Sequence, residues 1–143
     1  MMRRLAAGLG AFLIALALGV FAAPNDPVKV VYHFDAGLEQ ATKGLRNIKN
    51  HLDVDPTAKI VVVAHAQGVQ FLLDGATNST GNPYNIPVEE LARRGVEFRV
   101  CEITLTSNKI DPKRLLPETK LVPSGVVEIG RLQAKEGFVY LKP

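Results

Sequence analysis

The chain has 143 residues, with 17 Lys and Arg, 14 Asp and Glu, and a single cysteine. This length suits one domain, and a single thiol excludes an internal disulfide framework. The basic residues form no cluster that could neutralise a run of phosphates, so the sequence does not predict nucleic-acid binding.

The N-terminus has the pattern of a secretory signal peptide. Arg3 and Arg4 precede an apolar run over residues 5–20, and a small residue follows at Ala22. The run is shorter than the roughly 20 residues that a membrane-spanning helix needs. We therefore predict a signal peptide over residues 1–22, export to the periplasm, and no membrane span after cleavage. An uncleaved N-terminal anchor is the alternative.

Residues 23–143 are predicted to form a single α/β domain in which strands and helices alternate. β-Branched or continuously apolar runs predict strands at 28–34, 59–65, 96–101, 120–122 and 138–141. Helical spacing and helix breakers predict helices or helical turns at 36–52, 68–73, 88–94, 102–108, 111–116 and 124–137. Asp35 is expected to cap the first helix, and Pro87 to begin the third. This order favours three α/β/α layers around a mainly parallel sheet.

Three chemically distinctive side chains lie at or near the carboxyl ends of the first three strands: His33, His65 and Cys101. Ligands of parallel sheets gather at that edge. We interpret Cys101 as the catalytic residue, because the N-terminus of the helix starting at Glu102 would favour a thiolate. His33, His65, Glu102 and Thr104 are its candidate neighbours. Alternatively, both histidines bond locally and Cys101 packs as a small buried side chain.

Other chemistries have weaker support in the sequence. Residues 63–68 resemble a nucleophile elbow, but Ala66 stands where a hydrolase needs serine, so no hydrolase triad is predicted. No glycine-rich phosphate loop follows a strand. His33, His65 and Cys101 could form a three-ligand metal set, but no pair has the close spacing of metal-binding motifs. Neither a cofactor nor a metal is therefore predicted.

Several segments together resemble a known family. They lie at residues 30–34, 62–65, 95–105, 115–117, 122–129 and 140–143, and those around Cys101 and Gly125 are the most specific. The sequence resembles the DsrE/DsrF-like family of small sulfur-relay proteins, in its exported branch. The resemblance implies a five-stranded parallel sheet, a homotrimer or homohexamer, and a cysteine after the third strand that carries sulfur as a persulfide. Cys101 occupies that place.

Two functions follow as hypotheses. In the first, an exported DsrE-like protein handles sulfur or thiols through Cys101, as a persulfide carrier or a thiol-redox partner. A sulfur-donor or sulfur-acceptor protein would then be its partner. In the second, the protein is a non-catalytic homo-oligomeric binding or assembly protein, and Cys101 is a buried structural residue.

Overall fold

The computed structural model describes residues 26–143, so the predicted signal peptide over residues 1–22 lies outside the described residues. The strands are β1 (Lys29–Phe34), β2 (Lys59–Ala64), β3 (Glu97–Cys101), β4 (Thr119–Val122) and β5 (Val139–Leu141). They form one sheet in the order β4-β3-β2-β1-β5, and every neighbouring pair is parallel. The predicted parallel five-stranded sheet is confirmed.

The helices connect these strands. They are α1 (Leu38–Val54), α2 (Asn85–Arg93), α3 (Glu102–Ser107) and α4 (Gly125–Glu136), with 3₁₀ helices at Ala66–Leu72 and Pro112–Arg114. The bounds of α4 follow from its caps. Ser124 accepts a hydrogen bond from the Val127 N–H, and Gly137 ends the helix with a φ of 73°, in the left-handed region that favours glycine.

Two helix starts differ from the sequence prediction. The prediction that Asp35 caps α1 is wrong, because the helix begins at Leu38 and Gly37 is its N-cap residue. Gln40 reaches back instead, and its Oε1 accepts hydrogen bonds from the N–H groups of Asp35 and Ala36. Helix α2 begins at Asn85 rather than at Pro87. Proline is tolerated there because the first-turn N–H groups of a helix have no partner within it.

Each face of the sheet packs against helices, as the alternation of side chains in a strand requires. One face of β1 and β2 packs on α1, α2 and the first 3₁₀ helix, and it contributes Val30, Tyr32, Phe34, Ile60, Val62 and Ala64. The opposite face packs on α4, and it contributes Val31, Val61 and Val63 against Ile129, Leu132 and Phe138. The predicted three α/β/α layers are therefore confirmed.

The strand register determines where the distinctive side chains lie. Ala64 pairs with both Phe34 and Val100. The residues that follow Ala64 and Val100 in the chain, His65 and Cys101, therefore lie side by side at the carboxyl edge of the sheet. Their position in the alternation puts them on the face that α4 covers. Across residues 26–143, none of the helices combines the length and apolar character needed to cross a membrane.

Candidate functional site

Two glycines allow the elements of the site to approach each other closely. A Cβ on Gly125 would lie 3.1 Å from the Cβ of His65 and 3.3 Å from the Cβ of Cys101, so the first residue of α4 lies against both side chains. A Cβ on Gly68 would lie only 2.1 Å from the carbonyl oxygen of Phe34. Glycine at these positions therefore lets α4 and the first 3₁₀ helix contact the end of the sheet.

The sulfur of Cys101 lies near several hydrogen-bond donors at this edge. They are the backbone N–H groups of Gly125, Thr104 and Ile103 and the side-chain hydroxyl of Thr104. Burial by itself raises the pKa of Cys101, because an apolar environment disfavours the thiolate, but these donors together outweigh that effect and the net pKa is lowered. The residue is only 5% exposed. The site thus favours a thiolate that is largely shielded from solvent.

Thr104 also connects Cys101 to the turn after β2. Its Oγ1 accepts a hydrogen bond of 2.9 Å from the N–H of Ala66, which leaves the hydroxyl hydrogen free to bind the sulfur. Ala66 has a φ of 50°, a conformation that costs a non-glycine residue about 1 kcal/mol. The strained residue therefore supplies the N–H that orients Thr104.

The two predicted histidines come together at the same edge of the sheet. The Nε2 atoms of His33 and His65 lie 2.7 Å apart, and the ring planes are 21° from parallel. The other ring nitrogen of His33, Nδ1, lies 2.6 Å from the hydroxyl of Tyr140 in β5. The 2.7 Å contact requires one Nε2 to donate and the other to accept, so the two rings share a proton between them.

Asp35 lies next to this pair. Its Oδ2 is 3.9 Å from His33 Nε2 and accepts a hydrogen bond of 2.7 Å from Lys142 Nζ. Lys142 holds the pKa of Asp35 below its usual range. Burial lowers the pKa of His33, and the Asp35 carboxylate offsets this only in part, so His33 is neutral near pH 7.

A partly buried ion pair supports the same face of the sheet nearer its centre. Arg99 in β3 pairs with Glu128 in α4, and the side chains are 17% and 11% exposed. Arg131 also donates to Glu128, and it holds the pKa of Glu128 below its usual range more strongly than Arg99 does. The pair links α4 to β3 below Cys101.

The structure brings four of the five sequence-predicted residues together: Cys101, Thr104, His65 and His33. Glu102 is exposed at the start of α3, and it makes no hydrogen bond to another side chain within residues 26–143. Sequence reasoning missed Gly125 and Tyr140 as site residues, and it assigned Asp35 only a capping role. Two signals could have indicated Gly125: the helix start at Ser124 directly after a strand, and the family resemblance of the segment around it.

The comparisons with known proteins agree with this architecture. A model of the DsrE/DsrF-like family matches residues 4–143. None of the curated proteins matches the chain. The solved structure of MTH1491 from Methanobacterium thermoautotrophicum, described as a protein of unknown function, is 32% identical with a TM-score of 0.72. The match covers 81% of this chain and 99% of that one.

The YchN protein from E. coli gives the same coverage, with 15% identity and a TM-score of 0.68, so this second likeness is one of fold. The family match spans nearly the whole chain and includes every residue of the site described above. The chain therefore belongs to the DsrE/DsrF-like family.

Proposed function

We propose that Cys101 carries sulfur as a persulfide in a sulfur-relay reaction. Membership of the DsrE/DsrF-like family supports a sulfur-relay function in general terms. The feature that supports Cys101 as the carrier is the set of donors around it: three backbone N–H groups and the Thr104 hydroxyl lie near its sulfur and lower its pKa. A thiolate, rather than a thiol, is the nucleophile in sulfur chemistry.

The proposed loading step starts from the Cys101 thiolate and a donor persulfide, R–S–SH. The thiolate attacks the outer sulfur, a new S–S bond forms at Cys101, and the S–S bond of the donor breaks. The bonding pair leaves with the donor as R–S⁻, and Cys101 becomes Cys–S–SH. Sulfur, hydrogen and charge balance without an external oxidant or reductant. Transfer to an acceptor thiolate is the same reaction in the opposite direction.

The same hydrogen-bond donors favour both the loading and the unloading of the carrier. The N–H groups of Gly125 and Thr104 stabilise the thiolate before loading, and they stabilise it again when the sulfur leaves. Donor and acceptor must reach a residue that is only 5% exposed. We therefore propose that the outer sulfur of the persulfide, rather than Sγ, is the atom that an acceptor thiol attacks.

The location and partners belong to the same proposal. The charged and apolar pattern of residues 1–22 supports export to the periplasm, where the partner would be a sulfur-donor or sulfur-acceptor protein. Self-association as a homotrimer or homohexamer is supported by large apolar side chains that stay exposed on α3, α4 and β5. These are Ile103, Val126, Val127, Val139 and Leu141.

The burial of Cys101 favours a second candidate function. A thiol with 5% exposure could be a structural residue of a non-catalytic homo-oligomeric protein, packed between β3 and α4. This alternative predicts that a replacement of similar size, Cys101→Ser, leaves the assembly unchanged. It also predicts that the native thiol reacts only after unfolding.

Intact-mass analysis after exposure to a low-molecular-weight persulfide separates the two functions. We expect the wild-type protein to gain the mass of one sulfur atom and the Cys101→Ser variant to gain none. Iodoacetamide labelling of the same native sample is the matched control, because it shows whether a small reagent can reach the Cys101 thiol. Labelling without sulfur uptake contradicts the carrier function. Failure of both reactions in the native protein, with both restored by urea, favours the structural role.

A further inference from the structure

Three side chains at the carboxyl edge of the sheet bring metal-binding atoms close together. One nitrogen each of His33 and His65 and one oxygen of Asp35 all lie within 4.8 Å of one another. Within the part of the chain that the structure describes, this is the one group of three or more histidine, cysteine or acidic residues with such geometry. The group combines two imidazoles with a carboxylate and is not merely an acidic cluster.

We propose that His33, His65 and Asp35 bind one divalent transition-metal ion of the Zn²⁺ class. Two imidazole nitrogens and one carboxylate oxygen are a common three-ligand set for such ions, with solvent at the remaining position. This inference goes beyond sulfur transfer and does not rest on it, because Cys101 is not one of the three ligands.

The two histidines are already arranged as a pair of ligands. Their Nε2 atoms lie 2.7 Å apart and share a proton, so each ring directs this nitrogen at the other. An ion bound at about 2.0–2.1 Å from each nitrogen would take the place of that proton and separate the two atoms slightly. Both rings would then carry their remaining proton on Nδ1.

Groups around the ligands hold them in this orientation. The hydroxyl oxygen of Tyr140 lies 2.6 Å from His33 Nδ1, where it can accept a hydrogen bond from the Nδ1–H and fix the ring with Nε2 free for the ion. Gln40 donates to Asp35 Oδ1 at 3.3 Å and accepts from the Asp35 backbone N–H, which leaves Oδ2 as the ligand atom. Second partners of this kind typically accompany metal-binding residues.

Lys142 distinguishes a metal site from a simple ionic cluster. Its Nζ lies 2.7 Å from Asp35 Oδ2, the oxygen that the ion would use. The ammonium group and a divalent cation compete for the same atom and repel each other. An ion must therefore displace Lys142, and removal of that side chain should strengthen metal binding rather than weaken it.

The test is titration of the purified protein with Zn²⁺ alone, followed by calorimetry, and with Co²⁺ as a spectroscopic probe. We expect one ion per chain. Replacement His65→Ala or Asp35→Asn should raise the Kd about tenfold or more, while Lys142→Met should lower it. His51 is the third histidine of the chain and bonds to Tyr32 on the opposite side of the sheet, so His51→Ala is the matched control and should bind as the wild type does.

Cys101→Ser tests the ligand assignment itself. We expect this variant to bind Zn²⁺ as the wild type does. We also expect the Co²⁺ spectrum of the wild type to lack a thiolate charge-transfer band. Circular dichroism establishes whether each variant is folded. If His65→Ala is not folded, Asp35→Asn is used in its place. The proposal is overturned if Zn²⁺ binding survives both His65→Ala and Asp35→Asn, or if it is lost in Cys101→Ser. It is also overturned if the folded wild type binds no Zn²⁺.

Discussion

The side-chain oxygen of Thr104 accepts a hydrogen bond of 2.9 Å from the N–H of Ala66, and the same hydroxyl group helps to lower the pKa of Cys101. This relationship joins the ends of two neighbouring strands through a single side chain. Ala66 adopts a left-handed conformation in making this bond. The thiolate is thus stabilised by groups that the fold itself holds in place.

The first prediction concerns the pH dependence of the thiol. Because the pKa of Cys101 is lowered, its thiolate fraction at neutral pH should exceed that of the same thiol without these donors. The rate of iodoacetamide alkylation should therefore reach half of its maximum at a lower pH. Restricted access of the reagent slows alkylation at every pH by the same factor, so it does not move this midpoint.

Replacement Thr104→Val should move that midpoint to higher pH, because it removes one donor and leaves burial in place. Thr106→Val, on an exposed position of the same helix, is the control and should not move it. A midpoint that is identical in wild type and Thr104→Val would contradict the role given to the Thr104 hydroxyl.

The second prediction concerns the approach of α4. Gly125→Ala would place a Cβ 3.1 Å from the Cβ of His65 and 3.3 Å from that of Cys101, so the helix start and these side chains must separate by a few tenths of an ångström. The Gly125 N–H would then lie farther from the sulfur, and the pKa of Cys101 should rise. Alkylation profiles of the variant measure this rise directly.

Gly130→Ala is the matched control in the same helix. A Cβ at Gly130 meets nothing within 4 Å, so this change should leave the thiol unaffected and stabilise the helix by about 1 kcal/mol. Equal effects of the two alanines on the alkylation midpoint would show that Gly125 has no special relation to Cys101.

The third prediction concerns stability. Glu128→Gln removes one of the two acidic partners of the partly buried Arg99, since Glu97 stays 2.9 Å away, and we expect a loss of about 1.5 kcal/mol in the free energy of unfolding. Urea denaturation measures it. Glu89→Gln, which breaks the exposed pair with Arg93, should cost about 0.5 kcal/mol or less. Similar losses in both variants would contradict the structural role of the buried pair.

The same ion pair also predicts how the free energy of unfolding changes as the pH falls. Arg131 and Arg99 hold the pKa of Glu128 below its unfolded value of about 4.3, so the folded state favours the carboxylate. This contribution is present above that value and is lost as the pH falls through the folded pKa. Wild type should therefore lose more stability than Glu128→Gln when the pH falls from 6 to 3. Parallel curves for the two proteins would contradict this assignment.

The sequence patterns predicted β1 and β2 well because their apolar residues are buried on both faces of the sheet, whereas the edge strands β4 and β5 are short and largely exposed. The start of α2 was harder, since Pro87 is as compatible with the first turn as with the first residue. Helix α1 began later than predicted because Gln40, rather than Asp35, satisfies the N–H groups before it. Such local competition between side chains is not visible in periodicity.

The site was predictable only in part for a related reason. Strand ends identified His33, His65 and Cys101, but their convergence depends on the register that pairs Ala64 with Phe34 and with Val100. The contributions of Gly125 and Tyr140 depend on tertiary contacts with distant segments. No spacing rule connects these residues to Cys101, so they become visible only once the sheet is assembled.

The measurement that tests the central claim most directly follows one labelled sulfur atom through the protein. A persulfide donor carrying an isotopic sulfur label is mixed with the protein, the excess is removed, and an acceptor thiol is added. We predict that the label appears on Cys101 and then on the acceptor, and that Cys101→Ser passes none. Label that never binds to the wild-type protein, or that passes equally well through Cys101→Ser, would contradict the assignment of Cys101 as the sulfur carrier.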